Sequence, residues 1–197
     1  MGKRKKASNN ISPKSMIKNP QKPGKNIRNL YNPEFAGAGS GFAFDVSFPG
    51  LYYSVECGDF NNFLKDENQF IEKFKDIRRF LDKTNAKDFQ KELLGDTGMK
   101  HCHPVWDDKY NLAIECIKSS LVKHGNDNAE QMIDQMLEGE KLYQIGFEGE
   151  SRYIGTYDST RRVFRLYLID YHHKLHPKQQ YNQYSTRDLK YCIMTSK

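Results

Sequence analysis

The sequence lacks the patterns on which most cofactor and nucleophile signatures rest. Its 197 residues include four cysteines, Cys57, Cys102, Cys116 and Cys192, with no C-x-x-C pair. That spacing argues against a zinc-ribbon or a dithiol redox motif. No G-x-S-x-G frames a serine, and no H-E-x-x-H is present. The glycine-rich EFAGAGSG at 34–41 is followed by no G-K-S or G-K-T, so it reads as a loop and not a phosphate cradle. No G-x-G-x-x-G stands between a strand and a helix, so no nucleotide cofactor is expected. No apolar run approaches the roughly 18 residues that would span a bilayer. The N-terminus is charged where a signal peptide is apolar. The expectation is a cytoplasmic protein with reduced thiols, no cofactor and no membrane partner.

Charge is present but unevenly spread. The net charge is +6. Residues 1–30 carry nine Lys or Arg and no acid, residues 31–140 net −8, and residues 141–197 net +5. The middle repels nucleic acid, whereas the two ends attract it. The first segment, MGKRKKASNNISPKSMIKNPQKPGKNIRN, is nearly free of apolar residues and contains three prolines. Such a chain cannot bury enough surface to offset its ordering entropy, so a flexible basic arm over 1–30 is expected. Its cluster Lys3, Arg4, Lys5 and Lys6 is a candidate nucleic-acid contact.

Twelve Phe and twelve Tyr supply the core of a domain over 31–180. FAFDVSF alternates as a strand with Phe42, Phe44, Val46 and Phe48 on one face. From Phe60 to Leu81 the apolar spacing turns to three and four, which predicts a helix, with a break near Asp66. NAKDFQKELLG predicts a short helix, and DTGMKHCHPVW a loop. A helix over 107–125 carries Tyr110, Ile114, Ile117 and Leu121 on one face. Another over 126–139 starts at Asn126 or Asp127 and stops at Gly139. KLYQIGFEG, SRYIGTYD and RRVFRLYLIDY predict three antiparallel strands, and 181–197 reads as a polar tail. The fold class is therefore α+β: helices on a small antiparallel sheet with a C-terminal three-stranded meander.

Five of the six histidines fall in two short stretches, KHCHP and DYHHKLHP. A metal reading takes His101, His103 and His176, with Cys102, Asp107, Asp108 and Asp170 as further donors. Adjacent His172 and His173 point to opposite faces if they lie in a strand, which weakens a shared ion. Cys102 lies between two histidines and is a nucleophile candidate, although a dyad requires contact through space. The third chemistry is metal-independent cleavage of RNA by its own 2′-hydroxyl. It needs a proton acceptor, a proton donor and cations at the phosphate. The last strands hold these types together: Arg152, Tyr153, Tyr157, Arg161, Arg162, Arg165, Tyr167, His172, His173 and His176. Tyrosines among arginines also offer stacking surfaces for unpaired bases. Asp170-x-x-His173 is either a structural brace at a strand end or the orienting bond of a base.

LYQIGFEGESRYIGTYDSTRRVFRLYLIDYHHKLHP resembles the C-terminal meander of RelE/ParE-type toxins. The resemblance implies a sheet face that engages RNA on the ribosome or, in the ParE branch, DNA gyrase. It implies phosphate contacts at Arg152, Arg161 and Arg165, an acid–base end at Tyr171, His172 or His173, and a neutralising partner. HCHP and DYHHKLHP also resemble a bacterial and phage group in which a CHP-like segment precedes a strand ending Asp-x-x-His-x-Leu-x-Pro; Asp170, His173, Leu175 and Pro177 occupy its marked positions.

The resulting expectation is an RNA-binding protein acting as a metal-independent, toxin-type endoribonuclease. His172 or His173 serves as acid or base. Arg152, Arg161, Arg162 and Arg165 hold phosphate, and Tyr157 or Tyr167 stacks a base. Two alternatives stand beside it. One is a non-catalytic interaction protein of a mobile element or of phage defence, whose acidic helical face binds a host protein. The other is a metal-dependent nuclease using His101, His103 and His176.

Overall fold

A computed structural model describes residues 42–84, 89, 101–146, 149–177 and 185–196. The basic arm, with Lys3, Arg4, Lys5 and Lys6, lies outside the described residues. So, Phe89 apart, does the short helix expected over 85–95. The described residues belong to one compact unit, Ala36–Lys197.

Seven strands and three helices are described, in the order β1 (Ala43–Asp45), β2 (Glu56–Cys57), β3 (Phe60–Asn61), α1 (Glu67–Thr84), β4 (His103–Pro104), α2 (Asp107–Lys123), α3 (Ala129–Leu137), β5 (Leu142–Ile145), β6 (Arg152–Asp158) and β7 (Val163–Asp170). The class is α+β, and β5, β6 and β7 form the expected antiparallel meander. The five-stranded sheet has the order β1-β7-β6-β5-β4. It is mixed and not purely antiparallel, because β1 pairs with β7 in parallel, Phe44 opposite Phe164.

The strand expected over 42–48 is only three residues long, and Val46 is exposed, while Phe42 and Phe48 are buried. Phe60 is not helical. It lies in the β2–β3 hairpin, and α1 begins only at Glu67. Asp66 sets that start: its carboxylate accepts the Gln69 N–H at 2.9 Å, while the Gln69 side chain accepts the Lys65 N–H at 2.7 Å. These bonds satisfy two donors at the helix entrance. The helix buries Ile77 and Phe80 but leaves Ile71 and Phe74 in solvent. In α2 the buried stripe is Ala113, Cys116, Ile117, Ser120 and Leu121, one step round from the expected face.

The two helices α1 and α2 cover opposite faces of the sheet. Phe80 of α1 stacks on Tyr153 of β6 at 3.8 Å between ring centroids. Successive strand residues point to opposite faces. Arg152 and its cross-strand partner Asp170 therefore face the other way, where Cys116 of α2 lies close enough to feel the Asp170 charge. Covered on both sides, β7 is buried throughout except at Arg165. Its pairing with β6 is bulged: Ile154 faces Leu168 and Gly155 faces Leu166, leaving Tyr167 as the extra residue.

The β2–β3 hairpin is fastened under the end of β7 by buried Asn62. Its amide donates to the Ile169 carbonyl at 2.8 Å and accepts the Val55 N–H at 2.7 Å. The segment expected as a polar tail joins the same region. Leu64 and Tyr191 exchange two backbone hydrogen bonds, Asn61 donates to the Thr186 carbonyl, and the buried Cys192 sulfur accepts the Ser54 N–H. No disulfide joins the four cysteines. Among the described residues, no helix is long and apolar enough to cross a membrane.

Candidate functional site

Sheet topology brings the two histidine stretches together. In an antiparallel meander the last residue of one strand lies beside the first of the next. Asp170 ends β7 opposite Arg152, which starts β6, and Gln144 near the end of β5 is opposite His103 at the start of β4. Gln144 is also opposite Ile154, two residues along from Arg152. By strand alternation Asp170, Arg152, Gln144 and His103 share one face at one end of the sheet. The ring of His101 is 6.0 Å from that of His173, and the ring of His103 is 5.3 Å from that of His176.

Asp170 shapes the segment after β7. Fully buried, its carboxylate accepts the His172 N–H at 3.1 Å and the Leu175 N–H at 2.8 Å. Burial pushes its pKa up, against the N–H groups of Leu175, Lys174 and His172 and the positive charge of Arg152. The carboxylate thus braces backbone, and His173 takes a hydrogen bond from Arg152. Arg152 is 3% exposed. It donates to the carbonyls of Gly149 and Ser151 at 2.7 and 2.9 Å and to His173 Nδ1 at 3.5 Å. An arginine has no acceptor, so that Nδ1 carries the lone pair. His173 has φ 55°, a left-handed conformation seldom adopted by a non-glycine residue.

The expected single surface of imidazoles and guanidinium groups does not form. His172 is 0% exposed and turns towards the hairpin, where Nε2–H donates to the Phe63 carbonyl at 2.7 Å. Its burial lowers its pKa. His173 is 5% exposed. Arg161 and Arg165 lie near the far end of β6 and β7, beside Asp158, at 3.8 and 3.2 Å. Arg162 is in the same turn with φ 55°. The length of β6 separates them from Arg152, about 20 Å at 3.3 Å per residue. Tyr157 stacks on Phe89 at 4.1 Å, and Tyr167 is buried with its hydroxyl 3.2 Å from Thr156 Oγ1. Both rings are used in packing.

Accessible chemistry at the sheet end belongs to other side chains. His101, Cys102, His103 and His176 are half-buried, and Trp106, 58% exposed, lies parallel to the His103 ring at 6.3 Å. His176 is lowered to about 4 by burial and by neighbouring His103, with Asp108 opposing and Lys109 assisting. Among the described residues, no three His, Cys, Asp or Glu side chains converge to hold a metal ion, so His101, His103 and His176 do not form a ligand triad there. Four buried side-chain atoms lack a hydrogen-bond partner among the described residues: Gln144 Oε1, Ser151 Oγ, Arg152 Nε and His176 Nε2. All four belong to this end of the sheet. Native interiors leave few such atoms without a partner.

Gln144, Trp106 and Lys109 are not among the candidate residues that the sequence singles out. Gln144 carried a signal, being polar at a position that shares a face with Leu142 in an otherwise apolar strand. Trp106 carried none beyond being the chain's one tryptophan.

A family model described as uncharacterised protein UU032 matches residues 47–197. A protein of that description from Ureaplasma parvum serovar 3 (strain ATCC 700970) is 24% identical over 192 residues, covering 95% of this chain and 93% of its own. No solved structure matches. Neither match bears on RelE/ParE-type toxins.

Proposed function

The chain belongs to the family of uncharacterised protein UU032, and we propose that it binds RNA and cleaves it by metal-independent acid–base chemistry at the histidine end of the sheet. The observation that carries this reading is the gathering, at one place, of four imidazoles and the four buried polar atoms that lack a partner among the described residues. The roles move from buried His172 and His173 to the half-buried rings.

His176 is held neutral, the state that accepts a proton. A phosphate anion bound beside it raises its proton affinity towards the working range. It takes the 2′-hydroxyl proton, the 2′-oxygen attacks phosphorus, and the 5′-oxygen leaves with a proton from the His101 imidazolium. The products are a 2′,3′-cyclic phosphate and a 5′-hydroxyl, with no water or electron consumed. Lys109 supplies positive charge, and exposed Trp106 offers a face to an unpaired base. The reaction class is the one that the RelE/ParE resemblance implies.

The test is incubation of the full chain with single-stranded RNA, free and on ribosomes, with and without chelator, beside DNA of the same sequence. Cleavage of RNA alone, insensitive to chelator and lost in His176→Asn, supports the reading; intact RNA in every arm removes it.

A second reading, a non-catalytic interaction protein, draws on a groove of about 850 Å³ between α2 and α3, lined by Asp127, Glu130, Asp134 and Glu138. Four carboxylates there favour a basic partner. On that reading, His176→Asn leaves the protein's activity in cells unchanged.

A further inference from the structure

We propose that the Gln144 side-chain amide is a two-position partner of His103, donating to Nε2 of the neutral ring and, after a half-turn, accepting from the imidazolium. Its catalytic meaning rests on the reading above; its structural content does not.

The two ring nitrogens of His103 have different partners. His103 Nδ1 lies 2.8 Å from the carbonyl oxygen of Pro104. A carbonyl only accepts, so Nδ1 carries hydrogen in either protonation state. His103 Nε2 lies 3.2 Å from the amide nitrogen of Gln144. That nitrogen only donates, so Nε2 holds a lone pair and the ring is neutral. Protonating Nε2 would set two donors face to face. A half-turn of the amide removes the conflict by bringing Oε1 into the position of the nitrogen.

The amide has the means to turn. Gln144 is fully buried, and its Oε1 has no hydrogen-bond partner. The turn exchanges an unpaired oxygen for an unpaired NH2 group, so each orientation leaves one amide group unsatisfied and neither is strongly favoured by its own contacts. The ring's charge decides between them. An asparagine or a carboxylate at this position would either fall short or fix one state.

The other groups around His103 come from three sides. His176, after β7, lies edge-on at 5.3 Å, and Trp106 is parallel at 6.3 Å. At the start of α2, Asp108 and Lys109 act on the same His176. From β5, Tyr143 is the residue opposite Pro104, on the other face of the sheet from Gln144. Charge on His103 opposes charge on His176, so the amide acts on the proton acceptor through His103. Gln144 is a positioning residue.

The experiment is an imidazole 15N NMR titration of the full chain, wild type and Gln144→Glu, with RNA cleavage followed across the same pH range. In the wild type, neutral His103 is expected as the Nδ1–H tautomer. In Gln144→Glu, the acceptor-only carboxylate is expected to raise the proton affinity of His103 at least tenfold, moving its midpoint up by a pH unit or more and the cleavage profile with it. An Nε2–H tautomer in the wild type, or an unmoved midpoint in folded Gln144→Glu, overturns the proposal. If that variant does not fold, the wild-type tautomer decides. A shifted midpoint without RNA cleavage supports the Gln144 assignment and removes the phosphodiester reading.

Discussion

Asp170 Oδ2 accepts the backbone N–H of Leu175 at 2.8 Å, closing the chain that carries His172 and His173 into a turn at the end of β7. The same carboxylate is opposite Arg152, and both residues are buried. Removing one member of such a pair leaves the other's charge uncompensated in a poorly solvated place. Asp170→Ala is expected to cost about 3–5 kcal/mol in urea denaturation. Combined with Arg152→Met, it should cost less than the two single changes added together. Strict additivity would mean that the two groups do not stabilise one another.

The bulge makes a second prediction. A Cβ at Gly155 would collide with the Arg165 carbonyl oxygen and come within 2.7 Å of the Phe164 ring, both in the neighbouring strand β7. Neither can yield without breaking the sheet, so Gly155→Ala should lose about 3 kcal/mol or more. Gly125 provides the contrast: its φ is 93°, but nothing lies within 4 Å of a new Cβ. Gly125→Ala should lose only about 1–2 kcal/mol, the conformational cost of a left-handed backbone. Equal losses in thermal melts would contradict the packing argument.

These features differ in how far the sequence foretold them. The meander was legible, because β5, β6 and β7 alternate between turn-forming separators. Helices α2 and α3 were legible from their period and from Gly125 and Gly139. The hairpin at 56–61 was not: Phe60, Phe63 and Leu64 recur at helical spacing, whereas Asn61 and Asn62 satisfy the local backbone with their side chains. The parallel pairing of β1 with β7 joins segments some 120 residues apart and leaves no local trace. The histidine stretches were conspicuous, but their meeting depends on His103–Pro104 adding to the edge of β5. Which imidazoles remain accessible depends on Phe63 and Arg152, whose proximity no spacing rule encodes.

Trp106 carries the prediction for binding. Its side chain is mostly in solvent, so Trp106→Ala should leave the melting temperature nearly unchanged. Stacking of one base on an aromatic ring contributes about 1–3 kcal/mol. Fluorescence anisotropy with a short single-stranded RNA should therefore show affinity falling roughly 5- to 150-fold, with little change for a fully paired duplex. Equal RNA affinity in the two proteins would remove Trp106 from the site.

His176 sets the pH dependence of stability. Its pKa is depressed from 6.5 in an open chain to about 4 in the fold, with burial as the first cause. Above about pH 6.5 the ring is neutral in the fold and in the open chain alike, so its burial carries no charge penalty there. As pH falls below that value, the unfolded chain takes up the proton that the fold refuses, and stability declines until the folded ring also titrates near pH 4. The total is on the order of 3 kcal/mol. Buried His172 is shifted in the same direction and adds to the loss. In urea titrations at pH 7 and pH 4.5, His176→Asn should lose distinctly less stability than the wild type between the two values. Parallel losses in both proteins would show that the ring is not buried as the structure has it, and its assignment as the neutral proton acceptor would fall with that.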